Sequence, residues 1–175
     1  MQQASTEPLT FEKVRFLIQE TNKQMKEHDK KLQKLEDLFN GQWGKLIEAM
    51  VEGELLRLLK ERGIPVKRLF QNTTVEFDDK IYEFDLIAEN GRDAVFVEVK
   101  TTLNEKDIKK YIEKLKIIKE LFPTYINHNI YGAIAYIKQY HQSAQFAVNQ
   151  GLFAILTVGK GAVIINPPDF KPRKF

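Results

Sequence analysis

The most apolar strand of this chain carries two charges. Val95-Phe96-Val97-Glu98-Val99-Lys100 has the branched and aromatic content of a core strand. Side chains alternate along a strand, so Val95, Val97 and Val99 share one face and Phe96, Glu98 and Lys100 share the other. A buried charge costs roughly several kcal/mol unless it is paired or binds a metal. The strand therefore belongs in a sheet flanked by helices, and Glu98 and Lys100 need partners there.

The rest of the chain supplies that setting. Residues 10–39 read as one long helix in which Phe11, Ile18, Met25, Leu32 and Phe39 recur every seven residues. Val14, Thr21, His28 and Leu35 fill the second seam position. One reading is a coiled coil that makes a homodimer; the other is a solvated amphipathic helix folded back on its own domain. Gly41 and Gly44 predict a break, so residues 1–40 are expected as a helical appendage and 41–175 as the main domain. A second helix spans 44–62 and stops at Gly63 before Ile64-Pro65. Its apolar stripe is Ile47, Val51, Leu55, Leu58 and Leu59, and Glu48 falls inside that stripe.

Short strands at 66–70 and 73–77, or one bent strand, come next, followed by Lys80–Ala88 and Ala94–Thr101 around Asn90-Gly91. Asn104 caps a helix expected through Leu121. Strand 130–137, helix 139–150 and a hairpin of 152–158 with 162–165 across Gly159-Lys160-Gly161 complete the pattern. This order is an α/β fold with a mixed sheet flanked by helices. Lys171-Pro172-Arg173-Lys174 reads as a disordered end.

Composition narrows the chemistry. With no cysteine among 175 residues, disulfides, thiolate zinc sites and cysteine nucleophiles are excluded. That absence fits a reducing, cytoplasmic compartment. No apolar run approaches the roughly 20 residues of a membrane span, and the polar N-terminus carries no expected secretory signal. The net charge of +3 permits nucleic acid as a partner without arguing for it.

A two-residue turn at Asn90-Gly91 would set Glu89 opposite Arg92, Asp85 opposite Phe96 and Glu83 opposite Glu98. Opposed residues share a face, so Asp85, Glu98, Lys100 and Glu83 are expected on one side. A three-residue loop would change that register. Carboxylates opposite each other repel, and a divalent cation or a nearby lysine would relieve them. Hard cations such as Mg²⁺ take carboxylate oxygens together with waters and phosphate oxygens. Asp85 and Glu98 would supply carboxylates, and the Val99 backbone a carbonyl. Glu48 would bind directly or through water, and Lys100 would sit beside the developing charge.

At these residues the chain resembles the PD-(D/E)XK nuclease superfamily, the restriction-endonuclease-like fold. Glu48 on the first core helix, Asp85, and Glu98-Val99-Lys100-Thr101-Thr102 carry the resemblance, which extends over residues 42–165. It is similar to a group of members that place a coiled-coil helix before the nuclease-like core. The family's proline before the aspartate is replaced by Phe84. The resemblance implies a metal-dependent deoxyribonuclease that uses Mg²⁺, or Mn²⁺, to hydrolyse phosphodiester bonds. It implies Glu48, Asp85, Glu98 and Lys100 as the catalytic set and Asp85, Glu98, Glu48 and Val99 around the metal. The alternative is a catalytically weak or inactive DNA-binding or assembly protein on the same fold, dimerised by its coiled coil. A cofactor-binding α/β domain lacks support, because no glycine-rich phosphate loop is present. Lys106, Lys109, Lys110, Lys114 and Lys116 read as a solvated helix face rather than a row of phosphate contacts.

Overall fold

The computed structural model describes residues 11–159 and 161–175. Helix α1 covers Phe11–Glu61, and its side chains at 11–14, 16, 17, 36, 37, 39 and 40 are outside that description. The chain divides into two units, one ending at Gly41 and one covering Gln42–Phe175, each described by itself. In the first, the seam positions Ile18, Met25, Leu32 and Leu35 are 56–67% exposed. The seam positions Phe11, Val14 and Phe39 lie outside the described side chains. Helical geometry continues through Gly41 and Gly44, where the sequence predicts a break. Each glycine costs a helix about 1 kcal/mol, and no proline there enforces a stop. Among the described residues no helix is long and apolar enough to cross a membrane.

In the second unit, α1 stops as its sequence predicts. Gly63 takes a left-handed φ of +79°, Gly63 N–H donates to the Lys60 carbonyl and Ile64 N–H to that of Leu59. Six strands follow: β1 Arg68–Phe77, β2 Lys80–Glu89, β3 Asp93–Leu103, β4 Asn129–Gln139, β5 Phe153–Val158 and β6 Gly161–Ile164. They form one sheet in chain order. β3–β4 and β4–β5 are parallel and the other neighbours antiparallel. Helix α2 (Glu105–Lys116), the short α3 (Ile118–Leu121) and α4 (Ser143–Asn149) fill the connections. The fold is therefore a mixed six-stranded sheet between helices, in the element order that the residue patterns predict.

Two apolar clusters line the two faces. Ile47, Val51, Leu55, Leu58 and Leu59 of α1 pack on Leu86, Val95, Val97, Val99, Ala133 and Ile155. On the other face, Ile108, Tyr111, Ile112 and Leu115 of α2 meet Phe84, Ile87, Phe96, Ile130, Ile134 and Tyr136. Burying each Leu, Ile or Val contributes about 1.5–3 kcal/mol, so α1 is held firmly and Glu48, next to Ile47, is held with it. Gly132 is what lets α2 lie close, because a Cβ there would collide with Leu115 and Leu152.

Three local expectations change. The helix after β3 ends at Lys116 rather than Leu121, broken at Ile117 (φ −100°, ψ 6°). The helix expected from residue 139 begins at Ser143, because β4 continues to Gln139. The tail is ordered. Asn166 is buried, accepts from Ala154 N–H and donates to the Leu152 carbonyl. Arg62 donates to the carbonyls of Ile164, Asn166 and Pro167. Arg173 N–H and Phe175 N–H donate to the carbonyls of Gly151 and Ile130. These partners come from distant parts of the chain, so local composition does not reveal them.

Candidate functional site

The site begins with the turn between β2 and β3. Asn90 Oδ1 accepts from the backbone N–H groups of Arg92 (3.0 Å) and Asp93 (2.8 Å). That side chain, with Asn90 N–H donating to the Asp93 carbonyl at 3.1 Å, moves the turn from Asn90-Gly91 to Gly91-Arg92, and Glu89 pairs with Ala94 instead of Arg92. The register moves by two residues. A shift of two keeps every side chain on its face. Continued one step past the last pair, Leu86 with Val97, it sets Asp85 level with Glu98 rather than Phe96.

The ladder between β2 and β3 ends at Leu86 and Val97, and Asp85 fills the opening. Its Oδ2 accepts from Val99 N–H at 2.6 Å, in place of a strand carbonyl. Face alternation slips at the same point. Phe84 packs in the α2-side cluster and Leu86 in the α1-side cluster, although they are two residues apart. On β1, Asn72 drops out of the pairing between Gln71–Leu86 and Thr73–Phe84 and takes a left-handed φ of 47°. The slip removes the parity that would set the Glu83 side chain beside Glu98. Glu83 instead contributes its backbone carbonyl, which accepts from Lys114 Nζ at 2.7 Å.

Glu48, Asp85, Glu98, Val99 and Lys100 all line one open cleft of about 410 Å³, with Ile81, Tyr82, Glu83 and Lys114. Glu98 is held at both oxygens. Lys100 Nζ is 2.8 Å from Oε1, and Lys114 Nζ is 2.5 Å from Oε2. Burial pushes the Glu98 carboxyl up, but the charges of Lys114 and Lys100 outweigh it and leave it below its ordinary value. Burial lowers Lys100, and Glu98 and Asp85 reverse that, so its ammonium is held more firmly than usual. Asp85 is raised, first by burial and then by the charge of Glu98, against the Val99 N–H bond and the two lysines. Glu48 is also raised, by partial burial and by Asp85, against Lys45 and an Asn72 side-chain hydrogen bond. Burial, with Glu98 and Asp85, pushes the Tyr111 phenol well up, and its hydroxyl donates to the Phe96 carbonyl at 2.7 Å.

Glu48, Asp85 and Glu98 therefore face two ammonium groups, and the uncompensated repulsion falls on Asp85, from Glu98, and on Glu48, from Asp85. Among the described residues no group of three or more His, Cys, Asp or Glu stands close enough to hold a metal ion. The oxygen-only donor set nevertheless fits a hard cation, and a cation beside Asp85 would relieve the repulsion that Glu98 exerts on Asp85 and Asp85 on Glu48.

Lys114 and Asn72 are the site residues that sequence reasoning misses. Of the five lysines on the helix after β3, Lys106, Lys109, Lys110 and Lys116 are exposed as expected. Lys114 is turned inward, with its side chain 19% exposed. Its position offers a signal: three residues after Tyr111 and four before Ile118, it borders the apolar face. Asn72 offers another, a poor strand former between two short strand patterns.

No protein-family model matches this chain, and no curated protein matches it. Among solved structures, the chain is similar to one titled "Crystal Structure of Protein of Unknown Function AF1548", at 16% identity and a TM-score of 0.44. That match covers 66% of this chain and 62% of the other.

Proposed function

We propose that this protein is a Mg²⁺- or Mn²⁺-dependent phosphodiesterase of the PD-(D/E)XK type, with a restriction-endonuclease-like core, that hydrolyses DNA. One observation carries the reading: Glu48, Asp85, Glu98 and Lys100, scattered over 53 positions of sequence, line the same cleft where the β2–β3 ladder opens. Asp85, Glu98, Glu48 and the Val99 carbonyl would hold the metal. A bound divalent cation would neutralise phosphate charge and lower the pKa of a water. A cleft with more carboxylates than ammonium groups repels a phosphodiester, so such a cation would help DNA to enter. Lys100, kept protonated by Glu98, serves as a positive hydrogen-bond donor to the phosphate oxygens rather than as a base.

The test is cleavage of supercoiled, linear and single-stranded DNA with Mg²⁺ or Mn²⁺, for wild type and Asp85→Ala. Cutting by wild type alone supports the reading. No cutting of any substrate, or equal cutting by the variant, overturns it.

A second reading, a DNA-binding or assembly protein with idle catalysis, draws on Glu98, whose two oxygens are already taken by lysines. DNA binding without metal-dependent turnover would favour it. In either case, we propose that the exposed row Ile18, Met25, Leu32 and Leu35 pairs with the same row of a second copy as a coiled coil.

A further inference from the structure

One carboxylate needs one counter-ion, yet Glu98 has two. Lys100 comes from the same strand, two residues on. Lys114 comes from α2 and is placed with more care than an accidental ion pair requires. Its ammonium meets Glu98 Oε2 at 2.5 Å and the Glu83 carbonyl at 2.7 Å. It also lies 4.8 Å from the centre of the Phe84 ring and 5.5 Å from that of Tyr111. An anion, a carbonyl and two aromatic faces are the partners that a desolvated cation requires. The carbonyl is available because the face alternation slips at Asp85 and β2 no longer pairs with β3 beyond Leu86.

The charge count gives this cage a purpose. Over Glu48, Asp85, Glu98, Lys100 and Lys114 the formal charge is one negative, and a divalent cation makes that set one positive. Without Lys114 the metal-loaded set would be neutral. Lys114 and a metal therefore oppose each other at Glu98, through direct repulsion and through competition for Oε2.

We propose that the Lys114 ammonium is a resident counter-ion of this site, which neutralises Glu98 in the metal-free protein and is displaced from Oε2 when a divalent cation binds. The inference rests on the metal-binding reading above. It makes Lys114 a positioning residue that sets metal affinity. Emptying the site of metal then leaves no bare buried carboxylate at Glu98, and filling it frees one ammonium.

Mn²⁺ binding to the full chain, followed by electron paramagnetic resonance, tests this with Lys114→Met and with Lys114→Gln, which keeps an N–H donor and loses the charge. Both variants are expected to bind Mn²⁺ at least tenfold more tightly than wild type. Melted in chelator they unfold below wild type, and saturating Mn²⁺ raises their Tm by more than it raises that of wild type. A lysine that only props Glu98 gives the opposite pattern: weaker Mn²⁺ binding and the same loss of Tm with and without metal. Equal or weaker binding by both variants overturns the proposal while leaving the metal site in place. If no form of the protein binds Mn²⁺, the metal-site reading itself falls and this inference falls with it.

Discussion

Replacing Asp85 by Asn should separate stability from activity. The carboxylate does two opposed things in the metal-free protein. It accepts from Val99 N–H at 2.6 Å, and it carries a charge that burial and Glu98 disfavour. Asparagine keeps an acceptor oxygen for Val99 and removes the charge. Relieving one repulsive, partly buried charge should stabilise the fold by about 1 kcal/mol, within the range of single favourable substitutions. For a domain of this size, that is a rise of about 3–5 °C in Tm.

The pH dependence has a definite sign. The folded-state pKa of Asp85 is raised above its ordinary 3.8, so its ionisation penalises the fold above the raised value and the penalty disappears below 3.8. The Tm advantage of Asp85→Asn in chelator is therefore greatest near neutral pH and vanishes as the pH falls toward 3.8. Asp85→Ala has no acceptor, leaves Val99 N–H unpaired at a cost of about 1–3 kcal/mol, and is expected to melt below Asp85→Asn. Both variants should lose metal-dependent DNA cleavage. The assay is thermal unfolding in chelator from pH 7 to pH 4, beside cleavage in Mn²⁺. An Asp85→Asn protein that melts below wild type at pH 7, or whose advantage persists unchanged at pH 4, refutes the reasoning.

Glu98→Ala leaves the ammonium groups of Lys100 and Lys114 facing each other without their carboxylate. Urea titration should show a loss of about 2–4 kcal/mol, and a loss under 1 kcal/mol would mean that solvent already screens the cluster. Because Glu98 is held below its ordinary 4.5, its contribution is full above that value and is lost as the pH falls through the depressed one, which a wild-type against Glu98→Gln comparison from pH 6 to pH 2 would trace. Lys100→Met should reduce the cleavage rate by about 10²–10³-fold, as loss of one well-placed donor to developing charge does; an unchanged rate removes Lys100 from the mechanism. Deleting residues 1–40 should convert a dimer to a monomer in light scattering, and a truncated protein that remains dimeric ends the coiled-coil proposal.

Strand and helix periods report which way a side chain faces relative to its own element. On that basis Glu98 and Lys100 were legible as a charged face on a core strand, and Glu48 as a carboxylate within the apolar stripe of α1. The turn and cap residues, Gly63, Asn90-Gly91 and Asn104, placed the element ends well enough to recover the order of elements. The β2–β3 register was not legible. It depends on the Asn90 side chain accepting from two backbone N–H groups, a choice that loop composition does not settle. The slip of face alternation at Asp85 was likewise hidden, because period-two counting assumes an unbroken strand.

The local chemistry of the chain thus determined by itself which residues were out of place in a core: a glutamate, a lysine and an aspartate on apolar strands, and a glutamate on an apolar helix face. Only the tertiary structure decided who answers them. Lys114 reaches Glu98 because Ile108, Tyr111, Ile112 and Leu115 pack α2 against the sheet. Asn72 reaches Glu48 where it drops out of the β1–β2 pairing with a left-handed φ. Such pairings depend on contacts between elements far apart in sequence, and no period within a single element encodes them.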